Sequence, residues 1–428
     1  MTTSLPPAGA IPVLSAAERR ARRNGLIRAV TYAVVGALAL WAGLFRMPAA
    51  QTTTYKLVFE NATIKLPDLT LHVGTTYAAV GLICLVVAVV QLLRPSSPSW
   101  RGLLGVVTFA LLVAVLTGIL GGKTPSLVGL IAAMVSFALP IVFAGLAAIL
   151  SERSGVMNIG IEGIILLGAC ATSVGGSILH TPYGGIVVGI FAGVLLGLLL
   201  AVLCIRYKVD QIIAGTVLNL AAAGITTFMY TRILQVKPEF NNPGLVGATP
   251  IPGLSEIPIV GPALFNGSLF LYVGYFLIIA MQLAIYRTRW GLRLRAAGEN
   301  PNAAGTIGID VLKIRYRSLA ASGAVAGFAG AYLVVVSTGS FQIGMSAGIG
   351  FIGIAAMIFG GWKPVGVAMA ALVFGFARSA ESRLGTVGVD VPTVFLSILP
   401  YVVTIVVVAG LVGRVRGPAA VGQPYEQA

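Results

Sequence analysis

Apolar runs of about twenty residues, spaced by short polar connectors, recur along this chain and decide what it can become. They lie at Leu26–Phe45, Val73–Leu93, Leu103–Leu120, Leu127–Leu150, Val156–Leu179, Gly184–Ile205, Ile212–Tyr230, Leu269–Ile285, Leu319–Val336 and Val394–Val412, with two short pieces at Ile349–Phe359 and Val365–Phe376. A helix crosses the hydrocarbon core of a bilayer in about 20 apolar residues, because every backbone polar group must then be satisfied within the segment. With 57% apolar residues and a mean hydropathy of +0.96, the chain lies far from soluble composition. The expected fold is an all-α polytopic membrane protein with about ten to twelve transmembrane helices, some of them broken or short.

Charge gives the expected orientation. The net charge of +15 is carried by cations beside the apolar runs, not by a basic soluble domain, which argues against a nucleic-acid surface. With the N-terminus inside, only eight of the 28 Lys and Arg fall on outer segments: Arg46, Lys56, Lys65, Lys123, Arg232, Lys237, Arg378 and Arg383. Lys and Arg resist transfer across the bilayer, so the bias predicts a multi-pass protein of the cell (plasma or inner) membrane with both termini cytoplasmic. Residues 1–25 read as a cytoplasmic basic tail, 26–125 as an N-terminal transmembrane extension with an outer loop at 51–72, 126–416 as the core, and 417–428 as a C-terminal tail. A secretory signal ending near Ala49-Ala50 is the alternative for the first run, which is long for an h-region. Alternating polar and apolar residues over 51–72 predict a strand-like hairpin.

The densest basic stretch is the connector 287–317, with Arg287, Arg289, Arg293, Arg295, Lys313, Arg315 and Arg317. It reads as a polar loop. Within it, Gly298-Glu299-Asn300-Pro301 followed by Ala303 and Ala304 predicts a turn and a short small-residue helix that Pro301 starts.

A second stretch, Leu150–Gly163, places Glu152, Arg153, Asn158 and Glu162 at or near membrane depth, where a charge costs about 2.5–3.5 kcal/mol at a helix centre. Gly155, Gly160 and Gly163 loosen the helix there, and a broken helix is tolerated only beside protein or a water-filled cavity. Glu152 and Arg153 read equally as a paired loop on the inner face. Asn158 and Glu162 point to a protein interior or pathway. Residues 337–348 form a second break carrying Phe341 and Gln342, and together the two suggest an inverted repeat. Asn219, a lone amide in apolar surroundings, is either helix-to-helix glue or a solute contact.

Other signals carry less. Gly122-Lys123-Thr124 lacks the first glycine of a phosphate loop, since that position is Thr117, and the GxGxxG at 348–353 has no βαβ unit around it. Gly185, Gly189, Gly193 and Gly197 recur on one helical face, as close helix packing requires. Cys84, Cys170 and Cys204 lie in apolar runs without metal-site spacing. The acids Glu152, Glu162 and Glu381 have no His or Cys at catalytic spacing, which argues against an intramembrane enzyme and leaves no catalytic or metal site to name.

The segment Gly291–Ile309 resembles the cytoplasmic coupling segment of ABC-importer permeases of the branched-chain amino acid, simple-sugar and nucleoside class. The element Leu150-Ser-Glu-Arg-Ser-Gly-Val-Met-Asn-Ile-Gly-Ile-Glu-Gly163 is similar to the nucleoside and simple-sugar permeases of that class. The resemblance runs from about Ser126 to Arg416. It implies a permease core over 126–416 that moves a nucleoside or related small polar solute, or a simple sugar, inward. It further implies an ABC ATPase subunit that binds the ATP, so that the chain needs no cofactor of its own. An extracytoplasmic substrate-binding lipoprotein and a second, related permease in a heterodimer complete the implied partners, with membrane lipid around them and no nucleic acid. Coupling to the ATPase is expected at Arg293, Arg295, Gly298, Glu299, Asn300, Ala303, Ala304 and Gly308, and the substrate pathway at Asn158, Glu162, Asn219, Phe341 and Gln342. An ion-coupled secondary transporter of a small polar solute is the alternative, and it would need no docking loop.

Overall fold

The computed structural model describes residues 16–47, 51–59, 64–93, 100–386, 398 and 416–426. Apart from residue 398, the expected span Val394–Val412 lies outside them. The chain divides into two compact units, residues 1–57, 66–127 and 387–389 in one and 58–65, 128–386 and 390–428 in the other.

The first unit holds helices α1 (Ala16–Trp41), α2 (Val73–Leu93) and α3 (Trp100–Ile119), with strands β1 (Thr52–Tyr55) and β2 (Leu69–His72) between α1 and α2. The strands pair antiparallel with Thr52 opposite His72, as the alternating pattern predicts. Helices α1 and α2 pack with almost no side chain between them. A Cβ on Gly43 would come within 2.6 Å of the Ala78 nitrogen, and one on Gly81 within 2.6 Å of the Leu40 nitrogen. In hydrocarbon, where lipid tails are as apolar as leucine, such close approach supplies the dispersion contacts that hold helices together.

The second unit runs α4 (Leu127–Glu152), α5 (Ile161–Ile178), α6 (Pro182–Ala201), α7 (Gln211–Met229), α8 (Val260–Leu264), α9 (Leu269–Arg287), α10 (Arg289–Glu299), α11 (Pro301–Thr306), α12 (Val311–Tyr332), α13 (Ile349–Phe359) and α14 (Pro364–Thr386). Helices α5, α6 and α12 form its tightest layer. The glycine stripe of α6 is the reason: a Cβ on Gly193 would collide with the Gly323 oxygen, one on Gly197 would meet the Leu319 oxygen at 2.5 Å, and one on Gly189 the Thr172 hydroxyl. Larger side chains fill the space around α4, α9, α12 and α13, where Phe143, Phe270, Phe328 and Tyr332 stack edge and face.

Among the described residues, nine helices are long and apolar enough to cross a membrane, and Ile349–Phe359 is a shorter apolar helix. The ten to twelve expected include Val394–Val412, which apart from residue 398 lies outside the described residues. Three boundaries differ from expectation for physical reasons. The apolar run Val156–Leu179 is not one helix: residues 156–160 are irregular and α5 starts at Ile161. The piece expected to be short, Val365–Phe376, continues as α14 to Thr386, because Gly375, Ser379 and Arg383 dock on α4. Packing there overrides the polar residues that end the apolar run. The connector 287–317 is no loop but two short helices followed by the start of α12.

Candidate functional site

The two helix breaks and the basic connector converge in the second unit. Helix α4 ends at Glu152 and the chain turns through Gly155, whose φ of +91° suits glycine; a Cβ there would also come within 2.8 Å of Arg315 Nη2. The two charges before the turn do not serve each other. The buried Glu152 carboxylate accepts from Trp362 Nε1 at 2.7 Å. Arg153 donates to the Trp362 carbonyl at 3.1 Å and to the Tyr286 hydroxyl at 3.0 Å, with Glu299 at 4.0 Å. Together they fix this turn to the α13–α14 turn and to the start of the basic connector.

Past the turn, the break is closed by amides. Asn219 on α7 accepts from the Gly163 nitrogen at 2.7 Å and donates to the Ile159 oxygen at 2.9 Å, so its side chain stands in for helical partners that the irregular backbone lacks. Both ends of this amide are engaged by the backbone of the break. Gln211 similarly accepts from the Met157 nitrogen at 2.6 Å. Asn158, 1% exposed, donates to Ser322 Oγ at 3.2 Å, and its Oδ1 has no protein partner.

Glu162, in the first turn of α5, reaches across to the second break. Its carboxylate accepts from the Gly348 nitrogen at 2.8 Å and the Gly350 nitrogen at 2.7 Å, amides at the start of α13 that have no partner within the helix. An anion at a helix N-terminus satisfies orphan donors and opposes the positive end of the helix dipole. A Cβ on Gly350 would sit 2.7 Å from Glu162 backbone atoms, so only glycine allows this approach. The two breaks therefore share one ionic bracket.

Phe341 and Gln342 lie elsewhere. Phe341 is fully buried, its ring 6.2 Å from that of Tyr230. Its backbone is held at both atoms by Asn241, with N to Oδ1 at 2.7 Å and O to Nδ2 at 3.1 Å, and Ser173 Oγ lies 2.6 Å from the same Oδ1. Ser173 is eleven residues beyond Glu162 on α5, about 16 Å at helical rise. Gln342 points outward and is exposed. Asn158, Glu162 and Asn219 are thus gathered at one break, and Phe341 and Gln342 are not with them.

The basic connector builds two capped helices. Thr288 Oγ1 accepts from the Gly291 nitrogen at the start of α10, Asn300 Oδ1 from the Ala303 nitrogen at 3.1 Å at the start of α11, and Asp310 Oδ1 from the Lys313 nitrogen at 2.9 Å at the start of α12. Pro301 occupies the first position of α11, where its missing N–H costs nothing. Gly298 and Ala304 are buried and seat the pair; a Cβ on Gly298 would strike the Arg153 carbonyl. Arg293, Glu299, Asn300, Ala303 and Gly308 are exposed, and Arg295 lies over the Tyr286 ring at 5.2 Å. The pair also exposes Leu292 and Ile307, the latter at 74%.

Asn241, Tyr286, Trp362 and Arg315 carry much of this geometry and are not legible as site residues in the sequence. Asn241 and Trp362 sit in connectors whose partners are distant in the chain, and Arg315 looked like one more surface cation. Arg315 is in fact 2% exposed.

These features define a multi-pass membrane permease: broken helices pinned inside a bundle, with a capped helix pair presented at one end. Residues 130–408 match the family described as branched-chain amino acid transport system / permease component, and the chain belongs to that family of ABC-transporter permeases. It is 36% identical over 307 residues to the nucleoside ABC transporter permease protein NupC of Lactococcus lactis, covering 69% of this chain and 96% of that protein. It is 35% identical over 311 residues to the guanosine ABC transporter permease protein NupQ of Bacillus subtilis, covering 69% and 96%. A third relative, the putative glucose ABC transporter permease protein TsgC13 of Haloferax volcanii, is 32% identical over 326 residues, covering 70% and 98%. No solved structure matches the chain. The family is non-catalytic, and among the described residues no group of three or more His, Cys, Asp or Glu could hold a metal ion.

Proposed function

We propose that this permease imports a nucleoside, driven by a separate ATPase that grips α10 and α11 from the cytosol. The observation that carries this reading is the seating of the helix pair. Gly298 lies against the Arg153 carbonyl, and Arg153 in turn holds Trp362 at the start of α14, so a push on α10 bears directly on the break between α4 and α5. A rigid docked element of this kind passes a two-state movement to its neighbours. The exposed Arg293, Ala303 and Ile307 supply the contact surface, whereas Gly298 and Ala304 serve the seat.

The excess of Lys and Arg around this end supports a cytosolic placement, with both termini on that side. The names of NupC and NupQ support a nucleoside as cargo, and that of TsgC13 keeps a simple sugar as the competing solute. A second permease chain, completing the pathway as a heterodimer, and an outer binding lipoprotein complete the assembly. Asn158 is the residue of the expected pathway set best placed to meet solute, since its Oδ1 is the one buried amide oxygen of that set left without a protein partner among the described residues. In vesicles holding the assembled transporter, deleting Asn300–Ala304 abolishes ATP-dependent uptake of labelled guanosine while membrane insertion persists. Undiminished uptake by that deletion refutes the coupling role, and uptake of glucose in preference to guanosine refutes the cargo.

A further inference from the structure

Residues 416–426 pack against the seated helix pair and are held by three separate elements. The Ala420 nitrogen donates to the Gly298 oxygen at 2.9 Å, and the Ala419 nitrogen reaches Glu299 Oε2 at 3.3 Å. The Gln423 oxygen accepts from Arg315 Nη1 at 3.2 Å. Tyr425 packs with Ala297, Ala304 and Val311, and its ring lies 5.9 Å from the Arg315 guanidinium carbon. Glu426 pairs with Lys208, in the connector between α6 and α7.

Arg315 is the centre of this arrangement. A buried cation is costly unless its donors are used. Arg315 Nε donates to the Ser154 oxygen at 3.2 Å and Nη1 serves Gln423, while Nη2 lies against Gly155 without a hydrogen-bond partner among the described residues. One side chain therefore joins the turn after α4, the root of α12 and the segment 416–426. The planar fork of arginine makes this double contact possible; a lysine ammonium cannot reproduce it. The exposed Lys208–Glu426 pair adds little energy by itself, so the join rests on Arg315, Tyr425 and the backbone bonds to Gly298.

We propose that residues 416–426, locked by Arg315 as a positioning residue, form a strap that binds the α10–α11 pair, the turn after α4 and the α6–α7 connector into one rigid body. This rests on the reading of α10–α11 as the coupling element. The strap stays closed through the transport cycle, so movement of the ATPase reaches α6 and α7 together with the broken helix and is not lost in bending the helix pair.

The test uses the assembled transporter in proteoliposomes, with ATPase co-purification and the ratio of ATP hydrolysed to guanosine moved as readouts. Deleting residues 417–428 leaves co-purification intact and raises the ratio at least about twofold, the lower range of coupling changes along such networks. Arg315→Lys, which keeps the charge and loses the fork, raises it by less. A short bis-thiol cross-link between Lys208→Cys and Glu426→Cys leaves uptake unchanged, and the three native cysteines are buried and do not interfere. A wild-type ratio in both the deletion and Arg315→Lys, or uptake lost on cross-linking, overturns the strap. If the deletion fails to reach the membrane, Arg315→Lys and the cross-link decide. Uptake that survives loss of Asn300–Ala304 removes the coupling reading itself, whereas lost uptake in that variant together with a wild-type ratio in the 417–428 deletion and Arg315→Lys removes the strap alone.

Discussion

Replacing Glu162 tests whether the two helix breaks act as one unit. Its carboxylate accepts two backbone hydrogen bonds, from Gly348 and Gly350, and it is half-buried, so its desolvation offsets only part of the gain. Hydrogen bonds to a charged group contribute about 1.5–3 kcal/mol each. Glu162→Ala loses both and leaves the first amides of α13 without an acceptor, a loss of roughly 3 kcal/mol at the low end of that range. At about 1.4 kcal/mol per factor of ten, opening of α13 becomes roughly a hundredfold more frequent. Glu162→Gln keeps one neutral acceptor and forfeits about half of this, for roughly a tenfold effect. Hydrogen exchange by mass spectrometry on the purified permease reads the change directly, because amides in a locally opening element exchange in proportion to its open population. The expected order of protection for residues 350–356 is wild type, then Gln, then Ala, with the peptides of α9 unchanged. Equal protection in all three proteins would refute the bracket.

Two further outcomes follow from the same contacts. Trp362→Phe removes the one side-chain donor to the buried Glu152 carboxylate and lowers thermal stability in detergent by the equivalent of about 1–3 kcal/mol, while adding Glu152→Gln recovers part of the loss; an unchanged melting temperature in Trp362→Phe contradicts the pairing. Asn219→Leu lowers the amount of folded permease without changing the KM for the transported solute in what does fold, since both ends of its amide are spent on backbone; a KM raised at full protein yield would make it a solute contact.

The membrane class was legible because bilayer thickness imposes a length on apolar runs, and the glycine stripe of α6 was legible because period and residue type together predict close packing. The start of α11 was legible from local chemistry, with Asn300 as cap and Pro301 behind it, whereas α10 and the first turns of α12, capped by Thr288 and Asp310 on the nitrogens three residues on, fall in a stretch that reads as loop. What stayed hidden depends on distant partners. Nothing near Glu162 in the sequence announces that Gly348 and Gly350 will present amides to it. Likewise Arg315 and Arg317 look alike as letters, and only the turn after α4 and the segment 416–426 bury one and leave the other exposed. Helix α14 outran its apolar run because α4 supplies backbone carbonyls, those of Leu130 and Gly129, as acceptors for Ser379 and Arg383.

The account rests on α11 being a cytosolic handle, and thiol labelling from each side of the membrane tests it. Ala303 is exposed and the native cysteines are buried, so Ala303→Cys offers a single accessible thiol among the described residues. A membrane-impermeant maleimide is expected to label it in inside-out vesicles and not in right-side-out ones, with labelling suppressed when the ATPase subunit is present. Labelling from the outer side, or labelling indifferent to the ATPase, would contradict the account.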